Sequence, residues 1–394
     1  VKIAILRKKY TFHGGAEGFS GSLIENLANE GHEIHIFAIK WQSGRQQKNV
    51  HFHRVPAITF ISFLRDLTFA VSSFFLVKKQ REYFDIIQTH DKTLLQDVYR
   101  AGDGCHMEWL RQRWKRTGPA GKASIVLNPY HWLVLALERF IFKRHRFKKV
   151  IAISELVKRN VMDNYGVSPA DIEVIYNGVD LEKFHPDNGK KYRSEIRRRY
   201  GLADDDFVVL FVGSGFERKG VKYLVQAVES VPGPVSLMIV GKGKHPHASP
   251  LTEGGSKGEA FQHKQRVIFC GPQEEIYKYY AAADIFAFPT MYEPFGNVHL
   301  EALASGLPVV TTKQSGAAEI IKDGVHGFVV DEPEDVEGLA GKIKFFLHNG
   351  ELLGSMSENA RKLAETFSFE RHIERMLKIY RLAGSHITGE RETL

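Results

Sequence analysis

The sequence predicts an α/β protein made of two doubly wound units, each a parallel sheet with helices on both faces. Three observations predict this. Apolar runs of about six residues alternate with helical stretches along most of the chain. The runs are continuously hydrophobic rather than alternating, as parallel strands buried on both faces require. With 394 residues, the chain also exceeds the roughly 250–300 at which a single core stops growing.

"KIAILR", "HEIHIFAI", "FDIIQTH", "KKVIAIS" and "IEVIYNG" read as the strands of the first unit. "FVVLFVG", "VSLMIVG", "RVIFCG", "DIFAFP", "PVVTT" and "GFVV" read as those of the second. A helix from about Glu17 to Glu30 follows the first strand, and Gly31 ends it. The break between units falls in "NGVDLEKFHPDNG" (Asn177 to Gly189), which gathers Gly, Pro, Asp and Asn. A charged helix, Tyr192 to Tyr200, opens the second unit, and "SFERHIERMLKIYRLAG" (Ser368 to Gly384) reads as an amphipathic helix that closes the chain. The expected domains are therefore 1–176 together with a closing helix at about 368–394, and 177–367. After Val240 a Gly-, Lys- and His-rich stretch reads as a flexible loop where a crossover helix is expected. Its His245, His247 and His263 match no metal-ligand spacing.

Composition narrows the function classes. Two cysteines, Cys105 and Cys270, cannot make a disulfide framework or a zinc knuckle, so a reducing setting is expected. The strand pattern starts at Val1 with no signal-peptide architecture before it, which points to a cytoplasmic protein. Apolar stretches such as Leu67 to Val77 are shorter than the roughly 20 residues a membrane-spanning helix needs. The formal charge of +8 is concentrated: between Ala101 and Asn160 there are 13 Lys and Arg against 4 Asp and Glu. Within that window "RFIFKRHRFKKV" (Arg139 to Val150) interleaves aromatic and basic residues. It fits either a helix that packs its apolar side inward or a surface for anionic lipid head groups. No nucleic-acid recognition motif accompanies the charge, so nucleic acid is not an expected partner.

Four stretches carry the chemistry. In "PTMYEPFGNVHLEALASG" (Pro289 to Gly306) a strand ends in a loop stiffened by Pro294, which holds Glu293. Gly296 allows close backbone approach, and Asn297 is placed as the cap of a helix running to Ser305. Amides of that first turn favour an anion. Glu301, on the same helix, offers a carboxylate to a vicinal diol. Two carboxylates flanking a phosphate site suit a ligand with sugar at both ends, a nucleotide diphosphate sugar. In "FVGSGFERKGVKYL" (Phe211 to Leu224) a strand ends in Gly213, Ser214 and Gly215, and Arg218 and Lys219 follow at the mouth of a helix. The stretch is neither the dinucleotide fingerprint nor a phosphate-binding loop with its lysine. Two adjacent cations there would neutralise a diphosphate leaving group. "RKKYTFHGGAEGF" places Gly14 and Gly15 at the first strand-helix turn, and "DVYRAGDGCHMEW" brackets Asp103 and His106 with glycines after a short strand.

With these residues in view, the chain resembles the family 4 retaining glycosyltransferases of the GT-B fold, most of all the lipopolysaccharide core glucosyltransferases. The resemblance covers nearly the whole chain, from "HGGAEGFSGSLIENLANEGHEI" through "VIYNGVDLEKFHP" and "GSGFERKGV" to "RVIFCGP" and "EPFGNVHLEALASGLPVVTT". It implies two Rossmann-like domains facing across a cleft, the first binding the acceptor and the second the donor, with the final helix crossing back to the first. It also implies site roles. Arg218 and Lys219 grip the diphosphate beside Gly213 and Ser214. Glu293 holds donor-sugar hydroxyls, the backbone at Phe295, Gly296 and Asn297 meets sugar and phosphate, and Glu301 takes the ribose diol. Val267 and Ile268 lie along uracil. From the first domain Gly15 and Glu17 reach the donor, and Asp103 or His106 is the polar group beside the reacting centre. The catalytic set is then Asp103, His106, Arg218, Lys219 and Glu293.

The implied reaction moves a hexose, glucose by subgroup, from UDP-glucose to a membrane-anchored saccharide, the lipopolysaccharide core. It needs no metal or other cofactor, in keeping with the lack of an Asp-x-Asp motif near the donor site. The enzyme would sit peripherally on the inner face of the cytoplasmic membrane, held by the basic region 111–149. Alternatives are a transferase with another lipid-linked or soluble acceptor, and a non-catalytic nucleotide-sugar-binding protein.

Overall fold

The computed structural model describes residues 1–10, 15–41, 48–244 and 265–384. The chain divides into two compact units, Val1–Gly178 with the segment from Phe369 onward, and Val179–Ser368. The Gly-, Lys- and His-rich stretch, including its three histidines, lies outside the described residues, as does Gly14.

The first unit contains β1 (Lys2–Leu6), β2 (Lys9–Tyr10), β3 (Glu33–Ala38), β4 (Lys40–Trp41), β5 (Val50–Arg54), β6 (Ile86–Thr89), β7 (Val98–Ala101), β8 (Lys149–Ala152) and β9 (Ile172–Val174). Seven of them form a parallel sheet in the order β5-β3-β1-β6-β7-β8-β9, and β2 pairs with β4 alone. Its helices are α1 (Gly15–Asn29), α2 (Ser62–Lys78), α3 (His106–Lys115), α4 (Pro119–Leu127), α5 (Pro129–Lys143) and α6 (Glu155–Tyr165). Both faces of this sheet are covered, and its inner strands carry apolar residues on each. Ile3, Ile5, Ile34 and Ile36 pack with Leu23 and Leu27 of α1. Ala4, Leu6, Phe37 and Ile87, which point the other way, pack with Phe69 and Val77 of α2. The edge strand β5, "VHFHR", was not expected from the sequence; it is half exposed, so it lacks the apolar run that marks the inner strands.

The second unit holds β10 (Phe207–Val212), β11 (Val235–Val240), β12 (Gln265–Gly271), β13 (Ile285–Phe288), β14 (Val309–Thr312) and β15 (Gly327–Val330). They make one parallel sheet in the order β12-β11-β10-β13-β14-β15. Around it lie α7 (Asn188–Arg199), α8 (Val221–Ser230), α9 (Tyr277–Ala282), α10 (Asn297–Ala304), α11 (Val336–His348) and α12 (Gly350–Glu365). Asp284, which leads into β13, accepts hydrogen bonds from Arg193, from the fully buried Arg197 and from the amide of Val208, and so ties α7 to the sheet.

Helix α13 (Phe369–Ala383) belongs to the first unit although it is last in sequence. Ile373, Met376, Ile379 and Tyr380 enter the core of α1 and β1, and the Tyr380 hydroxyl donates to Gln88 at 2.8 Å. Both units are Rossmann-like. Strand order reverses beside the first strand of each, between β1 and β6 and between β10 and β13, and open α/β sheets bind ligands at such a point.

Candidate active site

In the second unit the charged residues singled out in the sequence converge at that point. β10 ends at Val212, and the chain turns through Gly213, Ser214 and Gly215 before α8 starts at Val221. β13 ends at Phe288, and Pro289 to Gly296 lead into α10. Lys219 Nζ lies 3.0 Å from Glu293 Oε2, and an Arg218 guanidinium nitrogen lies 3.3 Å from the same oxygen. Arg218 also donates to the Tyr292 carbonyl at 2.8 Å, and Lys219 sits 4.6 Å from the centroid of the Phe288 ring. Burial pushes the Glu293 carboxyl upward, but Lys219 and Arg218 outweigh it and hold the group below the usual range. The cluster therefore carries a net positive charge behind one fixed carboxylate.

Glycines make this approach possible. A Cβ at Gly213 would meet Lys219 Cδ at 3.0 Å, and one at Gly220 would strike the Pro289 carbonyl. Gly296 has φ +82°, and a Cβ there would lie 2.8 Å from His299 Nδ1 and 3.0 Å from Glu293 Cγ. Gly296, not Asn297, therefore takes the cap position of α10, and Asn297 is the first helical residue. That corrects the expected cap: the backbone must turn left-handed there, which glycine does without strain.

Glu301 is on the second turn of α10, buried, with its carboxylate accepting from the Tyr280 hydroxyl at 2.9 Å. Burial pushes it up to about 7, against opposing pulls from Tyr280 and Lys183. Phe295 is fully buried, and its carbonyl accepts from Ser315. Ser214 accepts from the amide of Lys242 at 3.1 Å and so braces the turn after β10.

Two of the expected donor residues are placed otherwise. Val267 and Ile268 are buried in the middle of β12, opposite Leu237 and Met238, ahead of the strand end formed by Phe269, Cys270 and Gly271. They are core residues within the strand rather than at its end.

Sequence reasoning missed the supports of the Glu293 loop. The Glu293 amide donates to the Gln314 carbonyl at 3.0 Å, and the Gly316 amide donates to the Glu293 carbonyl at 2.9 Å. His299 Nδ1–H donates to the Gly296 carbonyl at 2.8 Å, and its Nε2 lies 2.9 Å from the Thr311 hydroxyl, which also reaches the Phe288 carbonyl. Burial lowers His299 to about 4 and keeps the ring neutral for that pairing. The available signals were a histidine three residues past Gly296 and "KQSG" at the end of β14.

In the first unit Gly15 and Glu17 both lie in the first turn of α1. Asp103 is exposed in the turn after β7, and His106 begins α3. His106 Nε2 lies 3.1 Å from His131 Nδ1, and its amide donates to the buried Glu138 at 2.8 Å. Burial, with Lys92 and His131 adding to it, lowers His106 to about 3, so the ring is neutral near pH 7. A further cluster, unforeseen from the sequence, occupies the β1/β6 switch point, where Lys8 Nζ lies 2.7 Å from Asp66 and 3.0 Å from Asp91.

The basic region 111–149 divides in two. Ile141, Phe142 and Phe147 are buried, so the stretch from Arg139 to Val150 packs its apolar side inward. Upstream, Leu127 is 76% and Trp132 65% exposed, and the Trp132 indole donates to the Val126 carbonyl across the α4–α5 junction. Trp114 is also exposed, with Lys122 above its ring.

Two parallel-sheet units, the second with a charged loop cluster at its switch point, define a protein of two Rossmann-like domains. Known proteins agree. Residues 13–183 match the family described as Glycosyltransferase Family 4, and residues 192–363 match Glycosyl transferases group 1. An uncharacterized glycosyltransferase of Methanocaldococcus jannaschii is 26% identical, over 97% of this chain and 98% of that protein. Lipopolysaccharide glucosyltransferase WaaG of Escherichia coli is 25% identical, over 92% of this chain and 94% of that protein. The crystal structure of WaaG matches with a TM-score of 0.78 at 23% identity, covering 98% of this chain and all of that one. Anabaena HepE in complex with UDP-glucose matches with a TM-score of 0.69 at 19% identity, over 97% and 99% of the two chains. The chain belongs to the family 4 (group 1) glycosyltransferases of the GT-B fold.

Proposed function

We propose that the chain is a retaining hexosyltransferase that moves glucose from UDP-glucose to a membrane-anchored saccharide, the lipopolysaccharide core. The observation that carries the reading is the convergence of Lys219 and Arg218 on Glu293 where β10 and β13 meet. As the glycosidic bond breaks, the anomeric carbon gains positive character and the diphosphate gains negative charge. Lys219 and Arg218 stabilise that leaving group. Glu293, kept ionised by them, accepts hydrogen bonds from sugar hydroxyls, and Glu301 takes the ribose diol. The acceptor oxygen bonds to the anomeric carbon on the face the diphosphate leaves, and the acceptor's proton passes to a diphosphate oxygen. Configuration is retained and no protein nucleophile or metal is required. Asp103 or His106 orients the acceptor from the first unit.

Supporting the choice of donor and acceptor are the WaaG and HepE matches, one named for a lipopolysaccharide glucosyltransferase and the other bound to UDP-glucose. Supporting the membrane role are exposed Leu127 and Trp132 beside the basic side chains of α3 and α4. No helix among the described residues is long and apolar enough to cross a membrane, so attachment would be peripheral, on the inner face of the cytoplasmic membrane. The test is a turnover screen of the purified protein with UDP-, GDP- and ADP-sugars, with and without lipid acceptors. Consumption of UDP-glucose, accelerated by deacylated or intact core lipopolysaccharide, is expected. Preference for another nucleotide, or no turnover with any, overturns the reading.

A further inference from the structure

On the outer edge of the first sheet, far along the strands from the ends that carry ligands in this fold class, β3 and β5 bring histidines and a carboxylate together. His35 and His51 are register partners, and Glu33 stands two residues before His35 on the same strand face. His35 Nε2 lies 2.9 Å from Glu33 Oε1, His51 Nε2 lies 3.9 Å from it, and the three ligand atoms fall within 4.8 Å of one another. A four-coordinate zinc ion with bonds of about 2.0–2.1 Å needs its ligand atoms about 3.3 Å apart, inside that spread. We propose that Glu33, His35 and His51 form a divalent transition-metal site, with two imidazoles, one carboxylate and water as ligands, which fastens β5 to the sheet.

The surroundings suit that role. His35 Nδ1 is 2.8 Å from His53 Nε2, so when a metal replaces the hydrogen that Nε2 of His35 now donates to Glu33, Nδ1–H can donate a hydrogen bond to His53. Metal-binding histidines are usually oriented by such a partner on the other nitrogen. The Tyr83 hydroxyl donates to Glu33 Oε1, and Tyr83 and Phe84 meet the His35 ring edge-on at 5.3 and 5.1 Å. His35 is thus fixed, while the exposed His51 is free to close on an ion from solvent. Imidazole with carboxylate selects zinc, cobalt, nickel or copper over magnesium. The site lies in the first half of β3 and β5, whereas the diphosphate-binding cations are in the second unit, so it is independent of the glycosyl-transfer reading. Its consequence is stability, because a metal bridge across an open sheet edge closes the strand least supported by neighbours.

The full chain, stripped of metal with chelator, is titrated with Zn²⁺ by calorimetry and with Co²⁺ by visible absorption. One saturable equivalent is expected, with the ligand-field bands of four-coordinate Co²⁺ and a rise of several degrees in Tm. His51→Ala, at an exposed position, and Glu33→Gln should each weaken binding by about tenfold or more and remove the Tm rise. His53→Ala should weaken it less, because it removes only the orienting partner. Binding unaltered by His51→Ala, or an absence of saturable binding by the folded wild-type chain, overturns the proposal.

Discussion

Lys219 Nζ lies 3.0 Å from Glu293 Oε2 and is sandwiched against the Phe288 ring, so two residues 74 positions apart share one charge-assisted contact at the mouth of two adjacent strands. Removing the ammonium strips one of the two cations assigned to the leaving group. Lys219→Ala should lower kcat by about 10²–10³-fold, the usual cost of losing one transition-state donor. Steady-state kinetics with UDP-glucose check this; near-normal turnover refutes the role.

Glu301 gives a pH signature. Its folded-state value of about 7 is above the ordinary 4.5, so the folded protein holds a proton that the unfolded chain releases between those values. Stability contributed by that proton is full below about 4.5 and is lost as pH rises toward 7, a difference of about 3 kcal/mol. Glu301→Gln should flatten this part of the stability profile, measured by urea unfolding from pH 4.5 to 8. With the ionised carboxylate proposed to hold the diol, UDP-glucose affinity should rise through pH 7 in the wild type and not in the variant.

Gly296→Ala sets a methyl group against His299 and Glu293 in a left-handed turn. A loss of about 1–2 kcal/mol of stability follows from the backbone strain alone. Donor affinity should fall further, since the side chain cannot enter without displacing Glu293. Thermal unfolding and UDP-glucose titration separate the two effects; unchanged affinity counts against the placement of Glu293.

Arg197 is fully buried and holds Asp284, which also accepts from the Val208 amide. Arg197→Ala leaves Asp284 with only the partly exposed Arg193 as a charged partner and should cost about 3–5 kcal/mol. Denaturant unfolding of the variant measures this, and a loss under about 1 kcal/mol would show that the sheet does not depend on the pair.

Leu127→Ser with Trp132→Ser should release the protein from anionic vesicles in flotation assays. Each large apolar side chain contributes roughly 2 kcal/mol when buried, and each nearby Lys or Arg about 1 kcal/mol. Salt should weaken wild-type binding steeply through screening. Equal binding to neutral and anionic vesicles at all salt concentrations argues against an electrostatic anchor.

The fold was legible because the sheets are covered on both faces. Ile3 to Leu6 and Phe207 to Val212 must be apolar throughout, and those runs stand out in one dimension. β5 was not legible: an edge strand needs only one partner, and its His51 and His53 resemble loop residues until β3 is set beside them. The loop glutamate and the two cations were legible as types in context. Val267 and Ile268 show the limit, because a strand's sequence does not tell which of its residues lie within the sheet and which at its end.

From its sequence alone this chain determined two Rossmann-like units, the break between them, and Arg218, Lys219, Glu293 and Glu301 as charged residues of strand-end motifs in the second unit. Local patterns suffice for these, since burial periodicity, glycine turns and strand-end motifs are all encoded within a few neighbours. Only the tertiary structure decided that Lys219 and Arg218 close on Glu293, that Gly296 caps α10, that α13 completes the first core, and that Glu33, His35 and His51 meet. Each depends on which strands lie side by side, and parallel pairing is set by packing of the whole sheet rather than by the residues that happen to touch across it.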